Sequence, residues 1–282
     1  MHVADENKAT PATAVTIVRP SVRRVGRGIL KLTDTIHGLV AFSLITFGVI
    51  VKKHDHSRKL IVPLIREHVF KAGVKLLPMI TLLGFVLGFV IIGQTVSLLN
   101  RVGAQNYLGM VMVTVVVREL GPMLTALVIL ARVGTAHVVE LGASRAFGEV
   151  EALEALSIDP IHYLVVPRVI GISVSLFACA IYLILVSLLS GYLFAFFQNI
   201  PLRPEEYFNQ LAGALGWEDF LFIGMKTILY GIIIAMVSCY QGLAHPLKIE
   251  HVPSIATRAV TQSIIGCVLL DAVFIVFYLL LR

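Results

Sequence analysis

Five continuous apolar runs, each about as long as a bilayer is thick, leave this chain one kind of fold. They cover residues 74–99, 107–131, 164–196, 219–242 and 258–281. A helix needs about 20 apolar residues to cross the hydrocarbon core. In lipid, only a helix satisfies its backbone groups within one segment. Transmembrane β-strands would read as short alternating segments, which these are not. The runs therefore predict an all-α integral membrane protein with five transmembrane helices. Composition agrees: 57% of the 282 residues are hydrophobic and 14% are charged, against about a quarter charged in a soluble domain.

Ahead of the spans lie two regions of different character. Residues 1–20 are small and polar and predict a disordered cytoplasmic tail. Residues 21–73 hold a basic cluster (Arg23, Arg24, Arg27, Lys31), an apolar core at 39–51 and a second basic segment at 52–59. That core is shorter than a span, and basic residues flank it on both sides. The expectation is an interfacial amphipathic helix anchored by Lys and Arg; a true span is the alternative. His54 and His56 flank Asp55 without completing a metal-ligand set, so no metal site is predicted. Cys179, Cys239 and Cys267 lie in apolar runs and read as small core residues.

Orientation follows from the loops. Thirteen of the 23 Lys and Arg precede residue 76. With the N-terminus inside, the segments 100–106 and 197–218 and the C-terminus are outside, holding only Arg101, Arg203 and Arg282. The positive-inside bias supports this topology, with the C-terminus periplasmic. The excess basic charge is thereby a matter of topology, not of nucleic-acid binding.

Arg118, Glu119 and Asp271 fall near the middle of spans, where each costs about 2.5–3.5 kcal/mol or more if it faces lipid. Lys226 lies near the start of the fourth span. Neighbours on a helix point about 100° apart, so Arg118 and Glu119 cannot both meet one partner squarely. The expectation is that Arg118 pairs with Asp271 while Glu119 faces a cavity. The alternative is a single buried network that only joins helices. Gly84 and Gly88 have the small-xxx-small spacing of a helix-packing seam.

Residues 132–168 are the long polar interruption between spans, with five carboxylates and three arginines. Within them, residues 138–156 read as helix, with Pro160 as a bound. Val139, Ala146, Val150 and Leu153 gather on one face, and Glu140, Glu151 and Glu154 on a neighbouring side. Gly142 and Gly148 are candidate break points. An acidic side suits docking to a basic, grooved partner; an acidic helix lying on a negative leaflet is less favourable.

The stretch ELGASRAFGEVEALEALSIDPIHYLVVPR, with RELGPMLTALVILARVGTA upstream, resembles the signature of the MlaE/YrbE permease family. These are membrane subunits of ABC transporters that work with MCE-domain lipid-binding proteins. The resemblance covers most of the chain from about residue 60; His137 is unusual in it. It implies five spans preceded by an in-plane elbow helix, a homodimer, and a bacterial inner-membrane location. It also implies a coupling helix within residues 137–160 that sits in a groove of a cytoplasmic ATPase. Glu140, Arg145, Glu149, Glu151, Glu154 and Asp159 are the coupling residues by that match. Substrates in the family are phospholipids or other hydrophobic molecules, held in a cavity at the dimer seam. Leu87, Ile91, Gln94, Val115 and Glu119 are the corresponding liners. Implied partners are a second copy, the ATPase carrying ATP and Mg, the MCE-domain protein and a small STAS-domain subunit.

The chain has no G-x-x-x-x-G-K-[ST] loop, no H-E-x-x-H and no G-x-S-x-G elbow. No catalytic residue and no cofactor is expected in it. The rival readings are a stand-alone ion-coupled carrier using Glu119 and Asp271, and a membrane scaffold whose acidic helix recruits a partner.

Overall fold

The computed structural model describes residues 35–50, 58–104, 107–197, 204–243 and 252–281. The tail 1–20, the basic cluster at 23–31 and the His54–His56 segment lie outside the described residues. Phe42–Arg282 forms one compact unit; Met1–Ala41, of which residues 35–41 are described, is a second. Every regular element among the described residues is helical. Five helices are long and apolar enough to cross a membrane: α2 (Ile61–Leu99), α3 (Leu108–Ala146), α5 (Ile161–Phe197), α7 (Trp217–Leu243) and α8 (Pro253–Leu280). The chain is a multi-pass membrane protein. Shorter helices complete it: α1 (Thr35–Ile50), α4 (Glu149–Ala155) and α6 (Pro204–Ala214). At 1.5 Å per residue α1 is about 24 Å long, short of the ~30 Å apolar core of a bilayer.

The helix that carries the first span begins earlier than its apolar run. Helix already starts at Arg58 and passes through a tight 3-10 turn at Val74–Leu76. The run alone puts the start at 74, because Arg66, Glu67, His68, Lys71 and Lys75 interrupt the hydropathy without interrupting the helix.

Small residues bring α2 against α5. A Cβ at Gly84 would lie 3.1 Å from the Leu183 carbonyl, and one at Gly88 would collide with Ser187 and Ser190. Ser190 Oγ donates to the carbonyls of Ser187 at 3.0 Å and Gly84 at 3.4 Å. Thr81 Oγ1 and the Tyr182 hydroxyl share a hydrogen bond of 2.8 Å. The Gly84/Gly88 spacing is thus a packing seam, as the sequence suggests.

α3 is one continuous helix that carries the second span into the polar stretch. It ends at Ala146, and Gly148 then takes φ +75° to turn the chain into α4. A left-handed residue is cheap only for glycine. Gly142, the other candidate break, stays helical and buried. It lies where α3 crosses α7: a Cβ at Gly242 would meet the Leu141 side chain at 2.8 Å and Gly142 N at 3.6 Å. The core between α3, α5 and α7 is filled by Met112, Val116, Ile129, Leu141, Ile172, Leu176, Leu183 and Ile234, each 0% exposed.

α6 is pinned to α5 by Tyr207. Its buried hydroxyl donates to the Leu188 carbonyl at 3.1 Å. Burial holds that hydroxyl well above its ordinary pKa, so it remains a donor. α8 is the least enclosed span: 11% of its apolar window is buried, against 56% for α3 and α5.

Candidate functional site

The polar side chains inside the spans form two rungs. Asp219 and Lys226 on α7 are seven residues apart, as are Asp271 and Tyr278 on α8. Seven residues are two turns, about 10 Å along a helix, so each helix offers one group to each rung. On α3 the partners are the adjacent Arg118 and Glu119, which lie in a wide π-helical stretch, Val113–Leu120. Such stretches are rare and concentrate at functional sites.

In the outer rung, Arg118 Nε lies 2.7 Å from Asp219 Oδ1. Arg118 Nη2 donates to Asp219 Oδ2 at 3.0 Å, and Nη1 donates to the Tyr278 hydroxyl. The guanidinium also stands over the Tyr278 ring, 4.6 Å from its centroid. Asp219 further accepts from Gly216 N at 2.9 Å, fastening the start of α7. In the inner rung, Lys226 Nζ donates to Glu119 Oε2 at 2.8 Å and to the Arg118 carbonyl at 3.0 Å. It lies 2.5 Å from Asp271 Oδ1. The Tyr230 hydroxyl donates to that same oxygen at 2.6 Å. Lys226 is 4% exposed, Asp271 14% and Glu119 36%, so Glu119 is the member that opens to space.

The expected Arg118–Asp271 pair is not formed. Counting along the spans places both near the midplane, but partners are set by side-chain reach. The long Arg118 side chain extends outward to Asp219, and Asp271 is taken by Lys226. The two rungs remain linked, since Lys226 Nζ also reaches the Arg118 carbonyl. Asp219, Tyr230 and Tyr278 escape a reading by run length: Asp219 sits where the apolar run begins, Tyr278 near the end of a span resembles an ordinary belt aromatic, and Tyr230 carries no charge to mark it. The seven-residue spacing on both helices is the signal that finds Asp219 and Tyr278; Tyr230 lies one turn beyond Lys226 and is not marked by it.

A cavity of about 370 Å³ lies between α3, α7 and α8, with the outer rung and Glu119 and Lys226 of the inner rung in its wall. Met110 and Thr114 line it from α3, Phe222 and Ile223 from α7, and Phe274, Ile275 and Leu279 from α8. Its size and its mostly apolar lining with a few polar groups are those of a small-molecule site. Arg118, Asp219, Phe222 and Tyr278 also border a second pocket, which reaches Gly213–Gly216 and Trp217 beyond the outer rung.

Of the five expected liners, Glu119 borders this cavity. Leu87 is buried and Ile91 half-buried against the core. Gln94 is exposed in a separate groove with Phe89, Ser97, Arg101 and Phe194. Val115 is exposed on α3. Among the expected coupling residues, Glu149, Glu151 and Glu154 are exposed on α4. Arg145 is half-buried at the end of α3. Glu140 turns to the buried Arg168, whose Nη2 lies 3.4 Å from its Oε2. Asp159 Oδ1 accepts from Ile161 N at 3.0 Å, supporting the start of α5. His137 stacks edge-to-face on His68, centroids 5.2 Å apart. Among the described residues no cluster of His, Cys, Asp or Glu could hold a metal ion.

Residues 65–277 match the family described as Permease MlaE. The chain is 28% identical over 239 residues to a probable ABC transporter permease protein of Rickettsia typhi, covering 85% of this chain and 90% of that one. It is 35% identical over 169 residues to a probable ABC transporter permease protein of Synechocystis, covering 58% and 62%. It is 23% identical over 234 residues to the intermembrane phospholipid transport system permease protein MlaE of Haemophilus influenzae, covering 83% and 88%.

Proposed function

This chain belongs to the MlaE permease family, and we propose from that premise that it is the non-catalytic membrane subunit of an ABC lipid transporter. It moves phospholipid or another hydrophobic lipid between the inner membrane and an MCE-domain partner. Energy comes from a separate ATPase that carries ATP and Mg. The chain acts as a homodimer, with its N-terminus cytoplasmic and its C-terminus periplasmic, and a small STAS-domain subunit completes the assembly.

The observation that carries this reading is a single helix. α3 lines the cavity with Arg118 and Glu119 and continues unbroken to the bend at Gly148. Beyond the bend, α4 presents Glu149, Glu151 and Glu154 to solvent. A basic groove on the ATPase would receive that acidic side, and its closure would move the cavity wall directly. Alternating exposure requires lipid to be held with different affinity in the two states.

The test is Glu151→Lys combined with Glu154→Lys in the assembled complex. The expected result is loss of ATPase capture and at least a tenfold fall in ATP-driven lipid transfer between vesicles, with the thermal unfolding profile unchanged. Full ATPase capture by the double variant would refute the coupling assignment. The inner rung, with two carboxylates on one lysine, favours the ion-coupled carrier as the second reading. Proton-coupled lipid movement by the purified chain alone would establish that reading and overturn the first.

A further inference from the structure

The ion pairs bordering the cavity carry unequal charge. Arg118 and Lys226 meet two carboxylates of the lining, Asp219 and Glu119, and a third, Asp271, that contacts Lys226 without lining the cavity. The outer rung is closed on itself: the Arg118 guanidinium is occupied by both Asp219 oxygens and by Tyr278. The inner rung is not closed. One ammonium, Lys226, serves two carboxylates, and Asp271 has the further support of Tyr230. Glu119 shares the lysine and is the most exposed of the group. Away from water such an imbalance is expensive, and a bound positive charge would offset it.

The cavity is also lined by aromatic rings. Phe222 meets Phe274 and Tyr278 edge-to-face, with centroids 6.5 and 6.2 Å apart and planes at 87° and 82°. Near-perpendicular rings form the corner of an aromatic cage, the arrangement that recognises ammonium groups. Arg118 over Tyr278 already puts one cation against this wall. Glu119, the most exposed carboxylate of the group, lines the same cavity as this aromatic corner, and together they offer a place for a cation, while the guanidinium that would attract a bare anion is already engaged.

We infer that the cavity takes its lipid by a cationic headgroup, an ammonium seated between Glu119 and the Phe222–Phe274–Tyr278 corner. Lipids with an amine or quaternary ammonium bind in preference to lipids whose headgroup carries only negative charge. This rests on the lipid-permease reading and adds the headgroup class to it. Glu119 supplies the charge, and the rings supply the fit.

The test uses the purified full-length chain in bilayer discs holding equal amounts of phosphatidylcholine and phosphatidylglycerol with matched acyl chains. Lipid retained after detergent extraction is quantified by mass spectrometry. The wild-type chain is expected to retain the choline lipid about tenfold over the glycerol lipid. Glu119→Gln should bring the ratio close to one, and Glu119→Asp should restore most of it, which separates charge from fold. Phe274→Leu should lower choline-lipid retention without lowering retention of the glycerol lipid. Equal retention by the wild type, or a preference that survives Glu119→Gln, overturns the inference. A parallel measurement of ATP-driven transfer by the whole complex keeps the two conclusions apart. Transfer without headgroup preference removes the ammonium site and leaves the permease; preference without transfer does the reverse.

Discussion

At the scale of single residues, the decisive facts are which charges meet. Arg118 and Asp219 are both largely enclosed, with side chains 16% and 4% exposed. Removing one member of a buried pair leaves the other uncompensated, at about 3–5 kcal/mol. Asp219→Ala should therefore lower the unfolding midpoint of the detergent-solubilised protein sharply. The exchange Arg118→Asp with Asp219→Arg should recover part of the loss, whereas Arg118→Asp with Asp271→Arg should not. Equal recovery by the second exchange would place Arg118 against Asp271 instead. The sequence makes Arg118, Glu119 and Asp271 conspicuous because charge inside an apolar run is costly. It does not disclose their partners. Depth counted in residues ignores that an arginine reaches several ångströms along the helix axis, and that a π-helical stretch alters the angle between Arg118 and Glu119.

At the scale of elements, glycine decides where helices touch and where they turn. Gly88→Leu should separate α2 from α5, since its side chain would occupy the space of Ser187 and Ser190. The expected cost is about 1–3 kcal/mol of overpacking or more, read as lower thermal stability with the helical content retained. Gly148→Ala should cost about 1–2 kcal/mol for a left-handed alanine. If α4 straightens onto α3 in response, spin labels at Ala143 and Glu154 will move apart, and an unchanged label distance would show the bend to be held by other contacts. The helices and the polar interruption are legible in the sequence because hydropathy and helical period are local. The choice of Gly148 over Gly142 is not, because it depends on α7 crossing α3 at Gly242.

At the scale of the whole molecule, each span reverses the side of the membrane on which the next connection lies. The loop before α7 and the bend after α3 must then face opposite compartments. With Cys179, Cys239 and Cys267 all buried, Trp217→Cys should react with an impermeant thiol reagent added outside intact cells. Glu154→Cys should react only after permeabilisation, and the reverse pattern would invert the topology. The span count is legible from run lengths; the cavity is not, because it is bordered by helices distant in sequence that tertiary packing brings together. One consequence of the unbroken α3 concerns leverage. From Glu119 to Ala146 the rod is about 40 Å long at 1.5 Å per residue. Pinned at the Lys226 rung, it would carry its far end through about 7 Å for a tilt of about 10°, while the pinned end hardly translates. A broad stroke at the bend thus arrives at the cavity as a small rotation, enough to re-aim Arg118 and Glu119 without tearing open the packing around them.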